Sequence, residues 1–285
     1  MPLQTSQRVL SGVLFMLLLL PLSAAAQLPL NIEELLVTGS TLKLQTVLGY
    51  SSTDRVLSGG MPVIPGTSPL PLVDHQTRSA TAVTRLRYGL SRTVEVNASV
   101  RRTRVDWQRP GASGGGDEYA LGLGANWLVS PDTKTPALLL TAGLDALETS
   151  WLAPDERYLG KSLRVGAHVY RALDPVVLSL AVLYEWRGAR SIGPSRYDPG
   201  DILRFQPQVN FAVNPRVTLI GGLSWQYVAA DRVDAVSAAG SLYQTDLSFG
   251  LGLQAGRDSI IFVDTRVATS GGRGASVGVD WHYQF

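Results

Sequence analysis

The chain has no cysteine and only three histidines among its 285 residues. Without cysteine there are no disulfide staples and no thiolate metal sites. His75, His168 and His282 are widely separated, and no His/Asp/Glu grouping has metal-site spacing. A nucleophilic triad needs Ser, His and an orienting group within hydrogen-bond reach, and no serine elbow is expected here. The sequence therefore points away from an enzyme and calls for no cofactor. Charged residues make up only 17% of the chain and nearly balance, which argues against a nucleic-acid footprint. A sustained helical period is missing, apart from one short candidate near residue 31. Beyond residue 26 no apolar run reaches the ~18 residues of a membrane helix. The longest, Val176 to Trp186, is interrupted by Ser179 and Glu185. A chain of this kind that spans a membrane must do so with strands.

Residues 1–26 read as a signal peptide: Arg8 supplies the positive start, Val9 to Leu20 the apolar run, and Ala24-Ala25-Ala26 a small-residue cleavage site. Residues 27–39 form an N-terminal extension. Within it Asn31 and Glu34 are placed like a capping box, so Asn31 to Leu36 is either a short helix or a disordered leader. The extension is a candidate plug and a candidate contact for a periplasmic partner. The first long loop contains the Pro-rich, apolar segment Met61 to Val73, which would lie over the mouth of a pore or against a surface.

From residue 40 onward a turn signature recurs. Tyr88 to Val94, Tyr170 to Val176 and Phe211 to Val217 are the clearest cases, with looser versions after Trp127 and Gly256. Asn-Pro and Asp-Pro start tight turns, because proline fixes φ and the short polar side chain caps the turn locally. Five such turns alternate with six longer polar segments, at 52–78, 108–117, 152–158, 188–201, 230–240 and 270–274. The expected fold is all-β: residues 40–285 form a twelve-stranded antiparallel barrel with short turns on one rim and longer loops on the other. The strands read as 40–51, 79–90, 93–107, 118–129, 137–150, 159–172, 176–187, 202–213, 216–229, 241–255, 259–269 and 275–285. Each is long enough for the ~9–11 tilted residues of a membrane strand.

Period-two alternation assigns faces. Ala82, Leu86 and Tyr88 oppose Arg85 and Arg87; Leu203, Phe205 and Val209 oppose Arg204, Gln206 and Gln208. In a soluble sandwich the apolar face would be the core, and local alternation alone does not separate the two topologies. Aromatic residues gather at strand ends, as in membrane girdles: Tyr88, Trp127 and Phe211 on the turn rim, Tyr119, Trp186 and Tyr243 on the loop rim. The barrel reading puts Lys43, Arg85, Arg87, Arg101, Arg164, Arg187, Arg204 and Arg266 in the lumen. It also puts Glu95, Asp145, Glu185, Asp246, Asp264 and Asp280 there, with His168 and His282. Such a lumen is either an anion-attracting wall or a set of self-neutralised pairs.

The last strand alternates Val277, Val279, Trp281, Tyr283 and Phe285 against polar residues and resembles the closing strand of bacterial outer-membrane barrels. That resemblance implies that Trp281, Tyr283 and Phe285 act as a signal for the barrel-assembly machinery. The segment Leu86-Arg-Tyr-Gly-Leu-Ser-Arg-Thr-Val-Glu-Val96 resembles a turn of the meta-pathway phenol-degradation or transporter outer-membrane barrels. Ser-Arg stands here where Thr-Asp is usual, and related amyloid-export barrels of pseudomonads look similar. The resemblance implies a passive channel for small aromatic or anionic solutes in a Gram-negative outer membrane, surrounded by lipid and lipopolysaccharide. An export channel for a polypeptide, gated by residues 27–39, is the alternative, and a structural barrel with a closed lumen is a third.

Overall fold

The computed structural model describes residues 39–56, 74–151, 153–238 and 240–285. The expected signal peptide, the expected extension up to residue 38 and the Pro-rich segment at 61–73 lie outside them. Twelve strands close into one antiparallel barrel: β1 (Leu42–Val56), β2 (Asp74–Gly89), β3 (Val94–Arg109), β4 (Ala112–Ser130), β5 (Ala137–Ser150), β6 (Ala153–Leu173), β7 (Val176–Arg187), β10 (Ile202–Asn214), β11 (Val217–Val228), β14 (Leu242–Gln254), β15 (Ser259–Ser270) and β16 (Arg273–Gln284). Each pairs with its neighbours in the chain. The seam joins β1 to β16, with Leu44 opposite Tyr283 and Leu48 opposite Val279. The Phe285 N–H donates to the Leu42 carbonyl at 3.1 Å. Closure leaves no unpaired barrel edge.

Burial runs inside out. Among the described residues the largest fully buried side chains are Glu95 and Asp145, at 1% and 2% exposure, whereas Leu121, Leu123, Phe249 and thirty-six other large apolar residues are exposed. A soluble sandwich would hide the leucines and show the carboxylates to water. Here the apolar face of nearly every strand points outward, as it must against hydrocarbon. Tyr227 and Tyr243 meet at a tilt on that outer face, 4.9 Å between centroids, near the loop rim, and Tyr283 and Phe285 meet edge-on at 5.1 Å near the turn rim.

The short turns form as the side-chain chemistry directs. Asn214 Oδ1 accepts from the Arg216 N–H at 2.8 Å, and Ser91 Oγ accepts from the Val94 N–H at 3.0 Å. Asp132 joins two adjacent turns, accepting from Arg171 Nη1 at 2.8 Å and from the Ala172 N–H at 2.7 Å.

Three of the six expected long loops are tight turns instead. β3 and β4 run through 108–117 and reverse at Pro110–Gly111; β6 begins at Ala153; β15 and β16 reverse at Gly271–Gly272. The polar composition of these stretches marks strand ends that stand in water on both faces, where alternation fades although the backbone stays extended. Gly111 and Gly271 both take φ +78°, the left-handed geometry such reversals require. Gly114 to Gly116, expected in a loop, lie in β4. A Cβ at Gly114 would sit 2.7 Å from the Trp107 ring, so the missing side chain is what lets the indole lie across the strand.

Two loop-side connections do stand out as longer elements. The β7–β10 and β11–β14 connections each form a small hairpin, β8 (Arg190–Ile192) with β9 (Ser195–Asp198), and β12 (Arg232–Val233) with β13 (Val236–Ser237). The hairpins join edge to edge in the order β13-β12-β9-β8. Asp231 ties this cap together, accepting from Tyr197 Oη at 3.1 Å and from the Gly200 N–H at 2.8 Å. Burial, with the charge of Asp231 and the bond to it, pushes the Tyr197 phenol well above its ordinary range, so it stays a donor.

Candidate functional site

The strand faces read from the sequence converge on one lumen. On its turn side Arg87 and Glu95 face each other across the β2–β3 turn, with Nε to Oε1 at 2.9 Å and Nη2 to Oε2 at 2.8 Å. Asn126 Nδ2 also donates to Glu95, at 2.8 Å. The hairpin thus buries a charge pair whose members come from the same eleven-residue turn segment. Beside it runs a relay: Arg85 Nη1 donates to Gln45 Oε1 at 2.9 Å, and Gln45 Nε2 donates to Asp280 Oδ2 at 2.9 Å. His282 Nε2 lies 3.1 Å from Asp280, and its ring meets Phe262 edge-on. Lys43 is buried on the same wall, while the His168 ring leans on Tyr170.

In mid-lumen one carboxylate serves two guanidiniums. Asp145 accepts from Arg101 Nη2 at 2.8 Å and from Arg164 Nη2 at 2.5 Å. The acid is 3% exposed, whereas Arg101 and Arg164 are 37% and 25% exposed. The carboxylate sits in the wall and the guanidiniums face the lumen.

The opposite wall, from β10 to β14, presents amides and hydroxyls. Arg204 donates to Gln226 at 2.8 Å, Gln206 to Ser224 at 3.2 Å, Gln208 to Asn210 at 2.7 Å and Gln244 to Asp246 at 2.9 Å. Arg266 and Asp264 form a looser pair at 3.5 Å. Glu185 is half-buried, opposite Arg164 in the β6–β7 register. Between the walls, on the turn side, lies a cavity of about 410 Å³ lined by Arg85, Asn126, Gln208, Ser248, Arg266 and His282 among others.

The structure gives Arg187 a different job from the one expected. Its Nε donates to the Gly200 carbonyl at 2.7 Å and its N–H to Asp201 Oδ1 at 3.0 Å, so it anchors the base of the cap. The sequence reading also missed Glu148 and Arg190. Strict alternation from Asp145 would turn Glu148 outward. A bulge between Asp145 and Leu147 restores it to the inside, where Arg190 Nη2 reaches it at 2.6 Å. Ser162 Oγ donates to the same carboxylate at 3.0 Å. The signal was present as two carboxylates three positions apart in one strand, a spacing that only an interrupted pleat can reconcile with one face.

Among the described residues no group of three or more His, Asp or Glu could hold a metal ion. The spelling Gly-x-Ser-x-Gly occurs at Gly111 to Gly115, but Ser113 lies inside β4 with no helix after it. That is not the strand–turn–helix setting that exposes a nucleophile.

No protein-family model matches the chain, and no curated protein matches it by sequence. Solved structures do. The crystal structure of an outer membrane channel from Pseudomonas putida F1 is similar with a TM-score of 0.64 at 12% identity, over 93% of this chain and 100% of that one. The fold is that of the outer-membrane β-barrels. The transport unit of the autotransporter AIDA-I from Escherichia coli aligns over 98% of both chains, with a TM-score of 0.55 at 10% identity. The beta domain of the Bordetella autotransporter BrkA aligns over 87% of this chain and 100% of its own, with a TM-score of 0.54 at 10% identity.

Proposed function

We propose that this chain is a passive outer-membrane channel for small anionic solutes. The observation that carries this reading is the unequal exposure within the Arg101–Asp145–Arg164 cluster. By count the lumen acids and bases nearly cancel, but a solute meets surfaces, and there the guanidinium side of the cluster is the more accessible. Guanidinium forks bind carboxylates and sulfates in two-point fashion, and a ladder of them draws anions through by exchange from one to the next. The amide and hydroxyl wall offers the uncharged remainder of such a solute neutral hydrogen-bonding partners. The likeness to a solved outer membrane channel supports the architecture, and the Leu86 to Val96 likeness to the phenol-degradation barrels supports aromatic acids as the class to try first. On this reading Trp281, Tyr283 and Phe285 double as the assembly signal, and residues 27–39 are the candidate contact for a periplasmic partner.

The test is conductance in a planar bilayer under a salt gradient. The expected result is steady single-channel current with an anion-selective reversal potential. Cation selectivity would overturn the anionic reading, and a silent barrel would overturn the open channel. Current that appears only when residues 27–39 are deleted would point instead to gated export of a polypeptide.

A further inference from the structure

Not all of the charge on the barrel faces inward. On the outer surface of the loop-side strand ends, Arg78, Arg102 and Arg104 project from β2 and β3, away from the lumen. The register stacks them closely: Arg78 lies opposite Asp106, Ala80 opposite Arg104 and Ala82 opposite Arg102. Two carboxylates hold the cluster upright. Arg102 Nε bonds Asp117 at 3.2 Å, while Arg104 bonds Asp106 at 3.2 Å and approaches Asp117 at 3.6 Å. Arg78 donates to Gln76 at 2.8 Å and has no carboxylate partner among the described residues. Three guanidiniums against two carboxylates leave one positive charge in excess, with unused N–H groups on each fork. Between Gln76, Arg78, Arg104, Asp106, Gln108 and Ser113 the surface is concave, with about 320 Å³ of free space.

The height of this cluster decides its ligand. Val100 and Leu121, one pleat repeat below Arg102, are exposed apolar residues of the outer belt. Arg102 itself rides over the Tyr119 ring at 5.8 Å. Aromatic rings on the outer face mark the boundary of the hydrocarbon layer; along the strands Arg104 stands ~6–7 Å above Arg102, and Arg78, level with Asp106, about twice that. The guanidiniums therefore stand at headgroup depth. They lie on the rim opposite the short turns, which in outer-membrane barrels is the outside of the cell. A transported solute in the lumen never meets them.

We propose that Arg78, Arg102 and Arg104 form a binding site for the phosphate groups of lipid A, the anchor of lipopolysaccharide. The site rests on the outer-membrane reading above. A phosphate monoester carries about −1.5 to −2 charges and three acceptor oxygens, which suit converging guanidinium forks. The concave surface beside them has room for the sugar that bears the phosphate, and the belt below accepts the acyl chains.

The experiment uses the full chain purified in detergent, with folding read by heat-modifiable gel mobility. The folded protein is loaded with bisphosphorylated lipid A, or with lipid A stripped of phosphate, and retention after detergent exchange is measured by native mass spectrometry. The expected result is retention of the phosphorylated form only, falling roughly ten-fold or more in R78Q/R102Q/R104Q. R257Q, a loss of one exposed guanidinium on the opposite rim, should retain it as the wild type does. Should the triple variant lack the folded band, R78Q alone carries the test, since that guanidinium makes no ion pair among the described residues. Equal retention of both lipid forms, or equal retention by a folded variant, overturns the site. A wild-type chain with no heat-modifiable band overturns the membrane reading itself, and the site with it.

Discussion

Arg190 and Glu148 join the loop-side cap to the barrel wall: the guanidinium of a loop hairpin reaches a carboxylate on β5 at 2.6 Å, with side-chain exposures of 12% and 6%. Arg190 also donates to Ser162 at 3.0 Å and lies over the Tyr158 ring, while Tyr158 Oη donates to the Ser191 carbonyl at 2.6 Å. The β8–β9 hairpin is thereby latched from two sides. Removing one partner of a buried pair leaves the other charge stranded, at a cost of about 3–5 kcal/mol. E148A is expected to release the cap while the barrel stays closed. Limited proteolysis should then cut within 188–201 much faster than in the wild type, with heat-modifiable mobility unchanged. Equal cutting rates would show that the pair does not hold the cap.

The Arg87–Glu95 pair belongs to the barrel rather than to the cap, and its loss should be felt globally. Glu95 is almost fully buried and accepts from both Arg87 and Asn126. E95A is expected to lower the urea midpoint of the detergent-folded protein by the equivalent of about 3 kcal/mol or more. A double substitution to matched apolar residues, R87M/E95L, should recover most of that loss. Failure to recover would place the role of Glu95 in its bond to Asn126 instead.

Selectivity should respond to Asp145 and to its two arginines with opposite signs. D145N leaves Arg101 and Arg164 without their shared countercharge, and anion preference should rise. R101Q/R164Q should move the reversal potential toward zero or beyond. Both shifts should shrink in high salt, which screens charges facing a wet lumen. Shifts of the same sign in both variants would dissociate this cluster from selectivity.

Gly114 should be intolerant of any branched side chain. A Cβ there falls 2.7 Å from the Trp107 ring, so the indole must shift to admit one. G114V is expected to cost about 1–3 kcal/mol through overpacking and to change the tryptophan emission. An unchanged spectrum and midpoint would mean that the ring flips out freely.

The strand count, the closing seam and the facing of the strands were legible because period two is a short-range signal that a closed sheet obeys almost everywhere. Arg85, Arg87, Glu95, Arg101 and Asp145 were all assigned to the lumen from neighbours within a few residues, and they line it. The misplaced loops share one cause. Beyond the membrane boundary both faces of a strand are wet, so β3, β4 and β15 turn polar without ending. Glu148 was lost to a one-residue bulge, whose local trace is its three-residue spacing from Asp145. Arg190 was lost because its partner Glu148 lies forty-two residues away, on a strand of the barrel wall. The pairing of Arg87 with Glu95 lay within one turn segment and still needed the closed hairpin before it became a contact.

The inverted burial also sets how this protein can change over time. In a water-soluble domain the hidden positions are apolar and exchange among shapes, while the visible ones drift almost freely. Here the visible belt needs only to stay oily, so leucine, valine and phenylalanine are close to interchangeable along it. The inward positions are charges with fixed partners, and Arg87, Glu95, Arg101, Asp145 and Arg164 cannot be replaced singly without stranding another. Divergence should therefore run fastest on the wall that meets lipid and proceed in coupled steps within the lumen.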